Sequence, residues 1–127
     1  MGAIIYKRVT ATMVPPRPRR RLVALSDEEY STLSAILDSS LGDHFDLYGF
    51  CEETICHILE YSETISRTMV LRDIVTTIVD LETCGCDPVA LLYYQTCMSV
   101  IRKIWTTSYR KTDEEFDTRV GEMIAEL

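Results

Sequence analysis

The sequence has no long uninterrupted run of apolar residues. A membrane-spanning helix needs about 20 predominantly apolar residues, and no segment approaches even about 18. The apolar core of a secretory signal peptide is also missing, because residues 3–5 are too few and Lys7 and Arg8 follow closely. We therefore predict a protein of the cell interior, in the cytoplasm or the nucleus, that does not engage the membrane.

Motifs that mark common enzyme classes are missing too. There is no nucleophile elbow, no P-loop and no Gly-x-Gly-x-x-Gly turn. The candidate zinc ligands considered are Cys84 and Cys86, with Cys51, Cys56 and His57 elsewhere in the chain. The pair Cys84 and Cys86 has only one residue between them, which does not match zinc sites, in which about two to four residues separate paired cysteines. We predict no enzymatic activity, no metal site and no cofactor, and we expect reduced, buried cysteines.

Acidic residues are absent from the first 25 residues, which hold six positive charges: Lys7, Arg8, Arg17, Arg19, Arg20 and Arg21. The other 102 residues contain all 20 acids and only 7 Lys or Arg, which gives the whole chain its net charge of −7. This asymmetry predicts a basic N-terminal arm, residues 1–24, and an acidic body, residues 25–127. An acidic body binds nucleic acid poorly, whereas a basic arm can contact phosphates or an acidic surface.

The arm contains the sequence PPRPRRR at residues 15–21. It includes Pro-x-x-Pro-x-Arg, the spacing with which a polyproline helix docks on SH3-like grooves. The predicted partner-binding residues are Pro15, Arg17, Pro18, Arg19, Arg20 and Arg21. Three uses remain open for the arm: a protein groove or acidic surface, nucleic-acid phosphates or nuclear targeting, and docking on the chain's own acidic body.

From residue 25 onward, apolar residues recur at helical spacing, so we predict an all-α fold, a small bundle of five to six helices. Capping boxes begin the first helix at Ser26 and the last at Thr112. We expect the first helix to end at Gly42, a loop over residues 43–49, and helices over 50–61 and 68–82. Whether residues 50–82 form one bent helix or two separate helices stays open.

The central helix of this bundle is predicted to begin at Pro88, capped by Asp87, and to run to about residue 107. Its apolar stripe consists of Val89, Leu92, Tyr93, Cys97, Val100, Ile101, Ile104 and Trp105. Leu91, Tyr94 and Met98 widen the apolar arc to roughly 200°, which is more than one neighbouring helix can cover. We therefore expect this helix to lie at the centre of the bundle, with Leu92 and Ile101 in the core.

Two features of the sequence favour a homodimer. Residues 4–10 favour a strand that has no partner strand in the sequence, and the central helix is apolar around a wide arc. The dimer-interface candidates are Ile4, Tyr6, Leu91, Tyr94 and Met98.

In style rather than in motif, a small acidic helical protein with a basic arm resembles the regulatory or host-modulating proteins that viruses encode. We predict a non-enzymatic protein–protein interaction function. The alternative is a nucleic-acid-binding protein that uses the arm.

Overall fold

The computed structural model describes residues 21–39, 45–85 and 87–127. These residues form five α-helices and no strand: α1 (Asp27–Leu37), α2 (Leu47–Tyr61), α3 (Arg67–Cys84), α4 (Pro88–Ser108) and α5 (Asp113–Ala125). The prediction of an all-α bundle is confirmed for this part of the chain. The predicted strand at residues 4–10 lies outside the described residues.

The helix starts follow the capping residues that the sequence indicates. The Ser26 hydroxyl accepts a hydrogen bond from the Glu29 N–H at 3.1 Å, and the Glu29 carboxylate accepts one from the Ser26 N–H at 3.0 Å. Thr112 and Glu115 make the same reciprocal pair at the start of α5. Since each pair satisfies two N–H groups that the helix itself cannot, both starts are fixed locally.

The ends and loops were predicted less well. α1 ends at Leu37 rather than at residue 41. The predicted loop over residues 43–49 is wrong at its end, because Asp46 accepts the Gly49 N–H at 2.9 Å and starts α2 at Leu47. Residues 50–82 form two helices, since α2 ends at Tyr61 and Ser66 caps α3.

α4 is the central helix, as predicted. Both α2 and α3 pack closely along it, whereas they barely touch one another, so they lie on different sides of α4. α3 ends at Gly85 in the left-handed conformation (φ 66°), and the short connection turns the chain back, so that α3 and α4 run antiparallel. The residues of the core that are fully inaccessible are Val23, Cys51, Ile55, Val70, Leu71, Ile74, Tyr93, Cys97, Ile101 and Phe116.

Leu92 does not belong to this core, contrary to the prediction, because 41% of it is exposed. The buried residues of α4 from Tyr93 to Trp105 cover an arc of about 140° at 100° per residue. Leu92 lies about 80° outside that arc, whereas Tyr94, placed at its flank by the sequence, lies inside it. Leu127, which follows α5, is also exposed, at 58%.

Among the helices of the described residues, none has both the length and the apolar character needed to cross a membrane.

Candidate interaction site

The structure describes one of the predicted partner-binding residues, Arg21. The other five lie outside the described residues: Pro15, Arg17, Pro18, Arg19 and Arg20. The Arg21 guanidinium lies 3.4 Å from the carboxylate of Asp80 on α3, and both side chains are about half exposed. The last arginine of the arm therefore contacts the chain's own body.

The residues just after Arg21 anchor the base of the arm. Val23 is completely buried in the core, and its N–H donates a hydrogen bond to the Asp73 carboxylate at 2.9 Å. Leu22 and Leu25 pack partly buried against the same core. The last residues of the predicted arm, up to residue 24, therefore pack against the body. One buried side chain and one charge-assisted hydrogen bond to α3 hold them there.

The electrostatics of this base centre on Asp73. Burial raises the pKa of Asp73 above its ordinary value, while the Val23 N–H and the Arg21 charge oppose that rise. Burial, and then the charge of Asp73, raise the pKa of Tyr94 to about 12. The site therefore joins a half-buried carboxylate, a guanidinium and a neutral phenol where the arm meets α3 and α4.

The described base of the arm runs in a defined direction along α3. Val23 is bonded at Asp73 and Arg21 at Asp80, which lies seven residues, or about 10.5 Å, further along α3. From Val23 back to Arg21, the chain therefore runs toward the C-terminal end of α3. Sequence reasoning missed this contact, although Asp73 and Asp80 are the only acids from residue 67 to 81 and share one helix face.

The dimer-interface candidates have different environments. Ile4 and Tyr6 lie outside the described residues. Leu91 and Met98 are half-buried on α4, and Tyr94 is only 5% exposed within its own chain. Tyr94 thus offers almost no surface to a second copy, and the homodimer stays a prediction.

A stack of aromatic rings and cations joins α3, α4 and α5. The Trp105 ring lies 5.9 Å from that of Phe116 and 5.5 Å from that of Tyr109. The guanidinium of Arg102 lies over Phe116 at 4.6 Å, and that of Arg67 over Tyr109 at 4.4 Å. Such contacts stabilise packing, so these residues are best explained by the fold.

A cavity of about 380 Å³ lies beside Trp105 at the turn between α4 and α5. Its charged lining is largely occupied: Glu115 belongs to the capping box, and Arg119 lies 3.4 Å from Glu122. These contacts leave the cavity few groups with which to hold a ligand.

Of the described thiols, Cys56 and Cys84 are exposed, contrary to the prediction of buried cysteines, whereas the two buried thiols give no sign of reactive chemistry. Cys51 and Cys97 are buried, and a hydrogen bond to Cys51 together with burial raises the pKa of Cys97. A thiol with a raised pKa is a poor nucleophile. In the described part of the chain, no three His, Cys, Asp or Glu side chains come together as metal ligands do.

Any function has to be inferred from the residues and contacts of the chain itself, because no protein-family model, curated protein or solved structure matches it.

Proposed function

We propose that this chain is a non-enzymatic interaction protein that binds another protein through its basic N-terminal arm and acts as a homodimer. The acidic helical body is the scaffold that presents the arm. The observation that carries this proposal is the anchored base, with Val23 buried and bonded to Asp73 and Arg21 paired with Asp80. In style, such a protein fits the regulatory, host-modulating role of many small viral proteins.

The charge balance near the base supports an outside partner. α3 carries only three acids, and two of them already contact Val23 and Arg21. The third is Glu82. Five further cations precede Arg21 in the chain: Lys7, Arg8, Arg17, Arg19 and Arg20. Because α3 alone cannot match this number of positive charges, the cations before Arg21 need a further acidic surface, and we assign that role to another protein with an acidic surface or an SH3-like groove.

The test compares the full chain with the variant Arg17→Gln/Arg19→Gln/Arg20→Gln in affinity capture from cell lysate. The arm variant should lose the captured protein, while its melting temperature stays unchanged. The matched control is Lys103→Gln/Arg110→Gln/Lys111→Gln, which removes the same charge from the body and should retain the captured protein. Equal capture by all three chains would refute an arm-mediated function.

A salt titration of binding to a generic DNA duplex separates the proposal from the nucleic-acid alternative. Each phosphate contact contributes about −0.9 to the slope of log K against log salt. If the arm binds phosphates, the duplex should bind the full chain with a steep slope, and the arm variant should lose up to about three units of it. A flat, weak titration together with capture of a protein supports the proposed function.

A further inference from the structure

The solvent-facing side of α2 has an unusual composition. Glu53, Cys56, His57, Glu60 and Tyr61 recur at helical spacing and are all exposed, opposite the buried Cys51 and Ile55. We call these five residues, with the neighbouring Glu63, the α2 outer face. Tyr61 is 72% exposed, and its ring lies 4.7 Å from that of His57. Two exposed rings therefore lie among three carboxylates, with no helix of the described chain covering them.

No Lys or Arg of the surrounding sequence neutralises this face. Residues 22–66 contain ten acids and no Lys or Arg. By contrast, residues 67–127 contain ten acids and seven Lys or Arg, several of them paired with one another. The cations that meet the α2 outer face must therefore come from another part of the molecule or from another molecule.

The described base of the same chain's arm lies away from this face, because Arg21 is held on α3, whereas α2 packs on another side of α4. Arg17, Arg19 and Arg20 lie within four residues of Arg21, so their backbone extends at most about 14 Å beyond it. Asp80, which holds Arg21, lies 13 residues or about 20 Å along α3 from the end that follows α2. From Val23 to Arg21, the described chain runs toward the C-terminal end of α3, away from the end that follows α2.

We propose that the α2 outer face binds the proline–arginine segment, residues 15–20, of a second copy of this chain, so that two copies exchange arms. This inference rests on the proposed function, because it names the surface that the arm contacts. A two-fold axis makes the exchange reciprocal, so every contact forms twice. The segment has no acid and the face has no Lys or Arg, which makes their charges complementary.

The chemistry of the two surfaces also matches. Prolines of an extended segment pack on exposed aromatic rings, as in other polyproline-binding grooves. Arginine guanidinium groups stack on rings of the Tyr61 type and pair with carboxylates in a bidentate manner. The face supplies both: the His57–Tyr61 pair for stacking, and Glu53, Glu60 and Glu63 for pairing.

The test is charge exchange between two full-length chains, followed by sedimentation equilibrium. The face variant is Glu60→Lys/Glu63→Lys, and the arm variant is Arg19→Glu/Arg20→Glu. Each alone should dimerise about tenfold or more weakly than the wild type, because like charges then oppose each other. Mixed in equal amounts, they should form a heterodimer of about twice 14.6 kDa, since each now carries the complement of the other.

Two controls separate a lost contact from a damaged fold. Glu28→Lys/Glu114→Lys makes the same charge change on α1 and α5 and should dimerise like the wild type. Tyr61→Ala should weaken the dimer without lowering the melting temperature of the monomer at low protein concentration, whereas Leu127→Ala, at a similarly exposed position, should do neither.

Three outcomes would overturn the inference: a wild-type chain that stays a 14.6-kDa particle at about 100 µM, a face variant that dimerises like the wild type, or a mixture that does not recover the dimer. The arm-mediated function is judged separately by the capture experiment with the Gln variant. Capture that depends on the arm, together with a dimer that ignores both charge variants, would leave the proposed function standing without this surface.

Discussion

Residues 22–66 and residues 67–127 bury apolar side chains against the same helix, α4, yet only the second region pairs its acids with cations of its own sequence. In the second region, Arg72 lies 2.7 Å from Glu126, and Arg102 lies 2.6 Å from Asp117. The first region has ten acids and no Lys or Arg. The two regions therefore differ in the charges of their surfaces and not in how they pack into the core.

This difference in surface charge affects binding more than it affects the stability of the fold. Exposed ion pairs contribute only about 0–1 kcal/mol each, so the paired charges of the second region add little to folding. An acidic surface without cations, however, repels itself and attracts a basic partner over distances of about 10 Å at moderate salt. The first region is therefore the more suitable acceptor for a basic arm.

The largest effects should come from the core, equally in both regions. Ile55 on α2 and Ile101 on α4 are completely buried, so Ile55→Ala and Ile101→Ala should each lower the free energy of unfolding by about 2–5 kcal/mol. Leu92→Ala, at an exposed position, should cost less than about 1 kcal/mol. Urea denaturation measures all three. A loss at Leu92 as large as that at Ile101 would show that the solvent side of α4 is wrongly assigned.

An intermediate effect is expected at Asp73, where an acid of the second region is satisfied by the arm's backbone. Asp73→Ala leaves the buried Val23 N–H without its acceptor and should cost about 1–3 kcal/mol. Asp73→Asn keeps an acceptor oxygen and should cost clearly less.

The same pair of chains tests the pKa of Asp73. Because the folded state raises this pKa above 3.8, it binds the proton more tightly than the unfolded chain. The stability of the wild type relative to Asp73→Asn should therefore fall as the pH rises from about 3.8 through the raised pKa. Urea denaturation across that range measures the difference. A relative stability that rises with pH would contradict the burial of the carboxylate.

The smallest effects on the free energy of unfolding should have opposite signs in the two regions. Glu60 lies in the last turn of α2, so Glu60→Lys removes a repelled acid and places a cation at the helix C-terminus, a gain of about 0.3–1 kcal/mol. Asp117→Asn removes the ion pair with Arg102 and should lose about 0.2–1 kcal/mol.

Both changes in the free energy of unfolding should be smaller at high salt. They are measured at low protein concentration, where self-association does not contribute. Equal signs would mean that the charge of residues 22–66 is already neutralised within the chain.

Much of the fold could be predicted from local chemistry. Ser26 with Glu29, Thr112 with Glu115, and Asp87 before a proline predict three helix starts correctly, because capping depends on residues that are neighbours in sequence. The end of α1 could not be predicted, since it depends on competing hydrogen bonds such as that from the Ser39 hydroxyl to the Ile36 carbonyl.

The charge layout is evident in the sequence, whereas the contacts between the base of the arm and α3 are not. A basic arm on an acidic helical body follows from the order of the residues alone, because charge and helical periodicity can be read along the chain. The exposure of Leu92 and the burial of Tyr94 do not follow from residue order. They depend on which sides of α4 are covered by the neighbouring helices. The tertiary structure also determines that Val23 is anchored at Asp73 and Arg21 at Asp80, because contacts between residues 50 or more apart depend on how helices pack.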